Sequence, residues 1–170
     1  MLITLKQAAA KIQAANKILL TAHVLPDGDA VGSTLAMLQI LRSIGKTARI
    51  FIDDTIRDNL QALPHCDEIR RPVKDETFDA DLLLILDTSP DRIGNVRNLT
   101  DAPILNVDHH VTNTGEGYDL YVEPDAAATC QIVYKLAGEL DAEISLDAAN
   151  CIYAGMATDT GFFQYSNTGA

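Results

Sequence analysis

Leu82-Leu83-Leu84-Ile85-Leu86-Asp87 sets five aliphatic residues in a row and ends them on a carboxylate. A strand with one wet face alternates polar and apolar residues, so an unbroken apolar run marks the centre of a parallel sheet covered on both sides. Five residues fall far short of the ~20 that a membrane helix needs. Moving outward, Lys17-Ile18-Leu19-Leu20-Thr21-Ala22-His23 and Pro103-Ile104-Leu105-Asn106-Val107 read as two more buried strands. Residues 47–52 alternate as a fourth strand, and 119–122 make a short fifth. Leu5, Ala8, Ala9 and Ile12 share one face of a helix over 5–15 with Thr4 as its cap. An apolar helix over 30–44 is stopped by Gly45, a short helix over 56–63 ends at Pro64, and helices over 126–137 and 146–157 complete the pattern. Such alternation predicts an α/β fold: an open, mostly parallel sheet with helices on both faces, forming a single domain over 1–170. Ligands of these sheets bind beyond the strand C-termini, which gathers His23, Asp87 and Asp108 to His110 along one edge.

The chain has 170 residues, 47% hydrophobic and 22% charged, enough to bury roughly 70% of its unfolded surface, which excludes intrinsic disorder and a disulfide-dependent mini-fold. Cys66, Cys130 and Cys151 contain no C-x-x-C pair and are expected as buried, reduced thiols. Met1-Leu2-Ile3-Thr4-Leu5-Lys6 lacks the pattern of a secretory signal, so a cytoplasmic location with no membrane contact is expected. The net charge of −11 repels a polyanion, and duplex DNA is therefore a poor partner. A small phosphorylated ligand becomes acceptable only if bound cations reverse the sign inside one cleft.

Four segments carry the residues for that chemistry. In His23-Val24-Leu25-Pro26-Asp27-Gly28-Asp29, one imidazole and two carboxylates fall on a single strand-to-helix turn. The plainer reading is an acidic turn in which Asp29 caps the following helix. Asp87-Thr88 follows the apolar run, as a ligand or as an ordinary turn residue. Asp108-His109-His110 follows a buried strand, where adjacent side chains face opposite ways, so one histidine can bind metal while its neighbour faces substrate. Asp108 is placed to orient an imidazole. Thr158-Asp159-Thr160-Gly161 ends a helix with either a ligand carboxylate or a plain turn. Imidazole and carboxylate without thiolate suit Mn²⁺ or Fe²⁺, and Mg²⁺ less well. Six candidates with one bridging carboxylate suggest two ions, about 3.5–4 Å apart, as in two-metal phosphoryl displacement.

With HVLPDGDAVGS (23–33), LLLILDTSPDRIG (82–94), NVDHHVTN (106–113) and ATDTGFFQYSNT (157–168) in this order, the sequence resembles the DHH phosphoesterases over essentially its whole length. Within that family it is most similar to the branch of bifunctional oligoribonucleases and 3′-phosphoadenosine 5′-phosphate (pAp) phosphatases. The resemblance implies a Rossmann-like domain and two Mn²⁺ ions. His23, Asp27 and Asp87 would hold one ion; Asp29, Asp87, His109 and Asp159 would hold the other, with Asp87 as bridge. It also implies hydrolysis of short single-stranded oligoribonucleotides and pAp by metal-activated water. His110 would contact the scissile phosphate or assist the leaving oxygen, and Asp108 would support it. Ser33, Asn113 and Arg92 are candidate phosphate contacts. Each has a plain alternative: a hydroxyl bonded within its helix, a turn with Gly115, and a pair with a neighbouring acid.

Relatives often carry Glu where this chain has Gln131. They also carry a second domain, DHHA1, so the chain is expected to be a fragment with weak or no turnover alone. Its oligomeric state stays open, a homodimer included. An inorganic pyrophosphatase or a cyclic-dinucleotide phosphodiesterase of the same superfamily, or a noncatalytic metal- or nucleotide-binding module, are the rival readings. His65 lies outside the motifs as a surface or packing residue, and Asp53-Asp54 read as a solvated turn or a cap for the helix after Thr55.

Overall fold

A computed structural model describes residues 1–169. The apolar run is β3 (Leu82–Leu86), and it is the middle strand of a five-stranded sheet. β1 (Lys17–Thr21) lies on one side of it, followed outward by β2 (Thr47–Ile50), and β4 (Ile104–Asp108) with β5 (Asp119–Val122) on the other, giving the order β2-β1-β3-β4-β5. Every pairing is parallel, with Leu20 opposite Leu84 and Leu84 opposite Leu105. Among the described residues the α-helices are α1 (Leu5–Ala14), α2 (Gly28–Ser43), α3 (Thr129–Glu139) and α4 (Leu146–Asp159).

Handedness explains how the faces are covered. The connection from β1 to β2 runs one way through α2, and that from β3 to β4 runs the opposite way through 3-10 turns at Pro90–Arg92 and Gly94–Leu99. Right-handed crossovers in opposite directions put their connections on opposite faces. Accordingly Leu20, Leu84 and Leu105 pack with Ala8, Leu35 and Val133 from the α-helices. Leu19, Leu83 and Ile85 pack on the other face with Val96 and Leu99 of the second 3-10 turn and with Ile93 between the two turns. The α/β class, the parallel sheet and the covering of both faces are as expected. The reversal of direction between β1 and β3 leaves a crevice at their C-terminal ends.

Three local expectations change. Over 56–63 a single 3-10 turn, Asp58–Leu60, replaces the helix, since Leu60 alone is buried there and too little apolar surface is present to offset helix nucleation. Asp53 and Asp54 cap no helix: Asp54 accepts from the Leu25 and Thr55 amides (2.8 and 2.7 Å), and Asp53 from the Asn95 amide (2.8 Å). The second helix begins earlier than 30, and its cap is Asp27, whose Oδ1 accepts from the amides of Asp29 and Ala30, both at 3.0 Å. Thr4 caps α1 as predicted, with Gln7 closing the capping box, and Gly45 takes a left-handed φ of 77° after α2. The three cysteines are free and buried, and among the described residues no helix is long and apolar enough to cross a membrane.

Candidate metal centre

The loops after β1, β3 and β4, the first turn of α2 and the last turn of α4 converge on one cluster. His23 Nδ1 meets the Val24 carbonyl at 2.8 Å, which makes Nδ1 the protonated nitrogen and leaves a lone pair on Nε2. That Nε2 stands 3.9 Å from Asp27 Oδ2 and 3.6 Å from Asp87 Oδ2. Asp27 thus divides its work: Oδ1 caps α2 and Oδ2 faces the histidine. His109 repeats the device, with Nδ1 3.2 Å from the Ala126 carbonyl and Nε2 3.6 Å from both Asp87 Oδ1 and Asp159 Oδ2. Separations of 3.6 Å are too long for hydrogen bonds. Two ligand atoms at about 2.1 Å from one cation lie roughly 3–3.5 Å apart, so these spacings suit shared coordination.

Asp87 sits at the centre. It leaves β3 with a left-handed φ of 63°, a conformation that Asp tolerates better than most residues, and its amide donates to the Val107 carbonyl at 3.0 Å. One carboxylate oxygen looks toward His23 and the other toward His109. The ligand atoms form three overlapping groups: His23, Asp27 and Asp87; Asp29, His109 and Asp159; and Asp87, His109 and His110, each within 4.8 Å.

The electrostatics describe a site short of positive charge. Burial pushes the Asp87 carboxyl well above its ordinary range, and the neighbouring carboxylates of Asp29, Asp27 and Asp108 add to the shift. Asp159 is raised by burial and then by Asp29. Among the described residues, the ion-pair partners within 4.0 Å of Asp27, Asp87 and Asp159 are histidines, with no lysine or arginine. Asp108 behaves differently. Burial would raise it, yet hydrogen bonds from His110 and Asn113 outweigh that and hold it below the usual carboxylate range. In return Asp108 raises His110 through a 2.7 Å bond from Nδ1 to Oδ1. The rings of His109 and His110 meet edge-on at 4.5 Å, and His110 is the more exposed of the two.

The profile of the DHH family, N-terminal domain, matches residues 17–156. The chain belongs to the DHH family. This DHH chain is 36% identical over 151 residues to the bifunctional oligoribonuclease and PAP phosphatase NrnA of Thermus thermophilus, covering 89% of the chain and 45% of the relative. To the Bacillus subtilis protein of the same name it is 34% identical over 155 residues, covering 89% of the chain and 48% of the relative. The chain therefore spans about half the length of the curated relatives it matches. An exopolyphosphatase-related protein from Bacteroides fragilis superimposes with a TM-score of 0.87 at 27% identity, covering 98% of this chain and 52% of that one.

All six proposed metal ligands of the DHH chain fall within the three groups. The candidate phosphate contacts have other surroundings. Ser33 is fully buried, and its hydroxyl donates to the Ala30 carbonyl at 3.2 Å. Asn113 is buried and donates to Asp108 Oδ2 (2.8 Å) and Asn106 Oδ1 (2.6 Å) while accepting from the Tyr118 hydroxyl (2.7 Å). It therefore braces Asp108. Arg92 is exposed, its carbonyl accepts from the Val24 amide at 2.9 Å, and it makes no ion pair within 4.0 Å among the described residues. Gln131 Oε1 accepts from the Ala127 amide at 2.7 Å and so shapes the turn before α3.

Sequence reasoning missed Asn106 and Thr129. Asn106 is fully buried in β4, and its amide ties the Ile85 and Thr88 carbonyls (3.0 and 2.7 Å) to the strand that ends on Asp108. The signal was a lone polar residue inside an apolar strand. Thr129 opens α3 and reaches Asp87 and Asp29, a contact about 40 and 100 positions away that no local pattern announces.

Proposed function

We propose that this cleft binds two divalent cations and is the catalytic centre of a phosphoesterase that cleaves short single-stranded oligoribonucleotides and pAp. The single observation that carries the reading is the division of Asp87 between His23 and His109 at 3.6 Å each. The donor set fits the ions: imidazole and carboxylate with no thiolate suit manganese, with iron or magnesium as substitutes. His23, Asp27 and Asp87 would hold one ion, and Asp29, Asp87, His109 and Asp159 the other. When bound, such a pair lowers the pKa of water and neutralises phosphate charge. The activity and substrates are those named for the two NrnA relatives.

The chain's own groups supply the rest. With Nδ1 committed to Asp108, His110 keeps Nε2 for a phosphate oxygen or for proton transfer to the leaving oxygen. Asn113, Asn106 and Tyr118 lock Asp108 and through it the imidazole. Arg92 steers phosphate at the rim. Free, buried thiols support a cytoplasmic setting, and the net charge of −11 disfavours duplex DNA.

The test is release of mononucleotide from a short oligoribonucleotide, and of phosphate from pAp, with and without Mn²⁺. Manganese-dependent release of both is expected. Two bound ions with no release from either would leave a binding module instead.

A further inference from the structure

Asp29 and Asp87 are both buried and each is a candidate ligand, so their mutual repulsion has to be managed by the protein itself. What reaches them is the start of α3. The Thr129 amide donates to Asp29 Oδ2 at 2.6 Å, the Cys130 amide donates to Asp29 Oδ1 at 2.9 Å, and the Thr129 hydroxyl donates to Asp87 Oδ1 at 3.0 Å. Thr129 is fully buried, and no side chain of its own helix start caps α3, so the hydroxyl serves the neighbouring carboxylate and not its own backbone. Asp87 Oδ1 is the oxygen turned toward His109, while Oδ2 is turned toward His23. A carboxylate is free to rotate about its last bond, and a bridging role needs that rotation stopped.

We infer that Thr129 is a positioning residue that fixes the plane of the Asp87 carboxylate, so that one oxygen serves each half of the cluster. The inference rests on the two-ion reading above. Thr129→Val keeps the shape, the packing and the amide that bonds Asp29, and removes the hydroxyl alone. Thr129→Ser keeps the hydroxyl and loses a methyl group. Mn²⁺ titration of the full chain, followed by calorimetry and by electron paramagnetic resonance, separates them.

For Thr129→Val, the first ion binds as in wild type, the second binds about 10- to 100-fold more weakly, and the spectrum of the coupled pair fades. Thr129→Ser restores both. Wild-type stoichiometry, affinity and spectrum in Thr129→Val overturn the inference, as does a folded Thr129→Ser that behaves like the valine variant. A wild-type chain that binds one ion or none removes the two-ion reading and this inference with it. A paired wild type with an unaffected valine variant removes this inference alone.

Discussion

At the residue scale, histidines with similar acidic neighbours do different work, and the reason is which nitrogen is tied down. His23 and His109 give Nδ1 to backbone carbonyls and turn Nε2 toward carboxylates. His65 places Nδ1 2.9 Å from Glu68 and Nε2 3.8 Å from Asp147, half-exposed and remote from the motifs. Asp87→Ala is expected to reduce Mn²⁺ binding to one ion or none and to abolish hydrolysis. His65→Ala should leave ion stoichiometry unchanged and cost no more than ~1 kcal/mol from its exposed pairs. Calorimetric stoichiometry decides, and equal values for wild type and Asp87→Ala would rule out the bridge. The six candidate ligands stand out in the sequence because each closely follows a strand or lies at a helix end, where side chains face the crevice. Ser33 takes its plain alternative, a hydroxyl bonded within its own helix, whereas spacing does not reveal that the Asn113 amide is spent on Asp108.

At the element scale, the site depends on how closely the helices approach behind it. A Cβ added at Gly155 of α4 would lie 2.2 Å from Cys130 Sγ and 3.0 Å from Asp29 Oδ1. Gly155→Ala is therefore expected to cost about 1–3 kcal/mol through overpacking and to weaken Mn²⁺ binding by pushing on Asp29. Urea melts and a metal titration would show both losses together. Lost stability with unchanged affinity would mean that the helices yield away from the site. The same packing explains why the start of α3 was placed at 126 by sequence and lies at Thr129. Its first two amides are capped by Asp29 from α2, and the Ala127 amide is taken by Gln131, so the boundary is set by a distant element. β3 needed no such information, because five aliphatic residues in a row admit one position in a parallel sheet.

At the scale of the whole molecule, the fold concentrates acid at one edge of a chain already at −11, and that shapes its response to pH. Asp87 and Asp159 have folded-state pKa values above their ordinary ones. Above the ordinary carboxylate range these two groups keep protons in the metal-free folded state that they have lost in the unfolded chain, so their contribution to stability falls as pH rises through those raised values. His110 acts in the same direction: its contribution is complete below its ordinary value and is lost as pH climbs through the raised one. The melting temperature of the metal-free chain should therefore drop between pH 5.5 and 7.5, and saturating Mn²⁺ at pH 7.5 should restore it by mass action. A metal-free melting temperature that rises over that interval would contradict this charge balance.

The most direct measurement is anomalous diffraction from a crystal soaked in manganese. Two peaks about 3.5–4 Å apart on either side of Asp87, one beside His23 and Asp27 and the other beside Asp29, His109 and Asp159, are the expected result. A fully soaked crystal with no peak in the crevice, or with a single peak that leaves Asp87 uncoordinated, would contradict it.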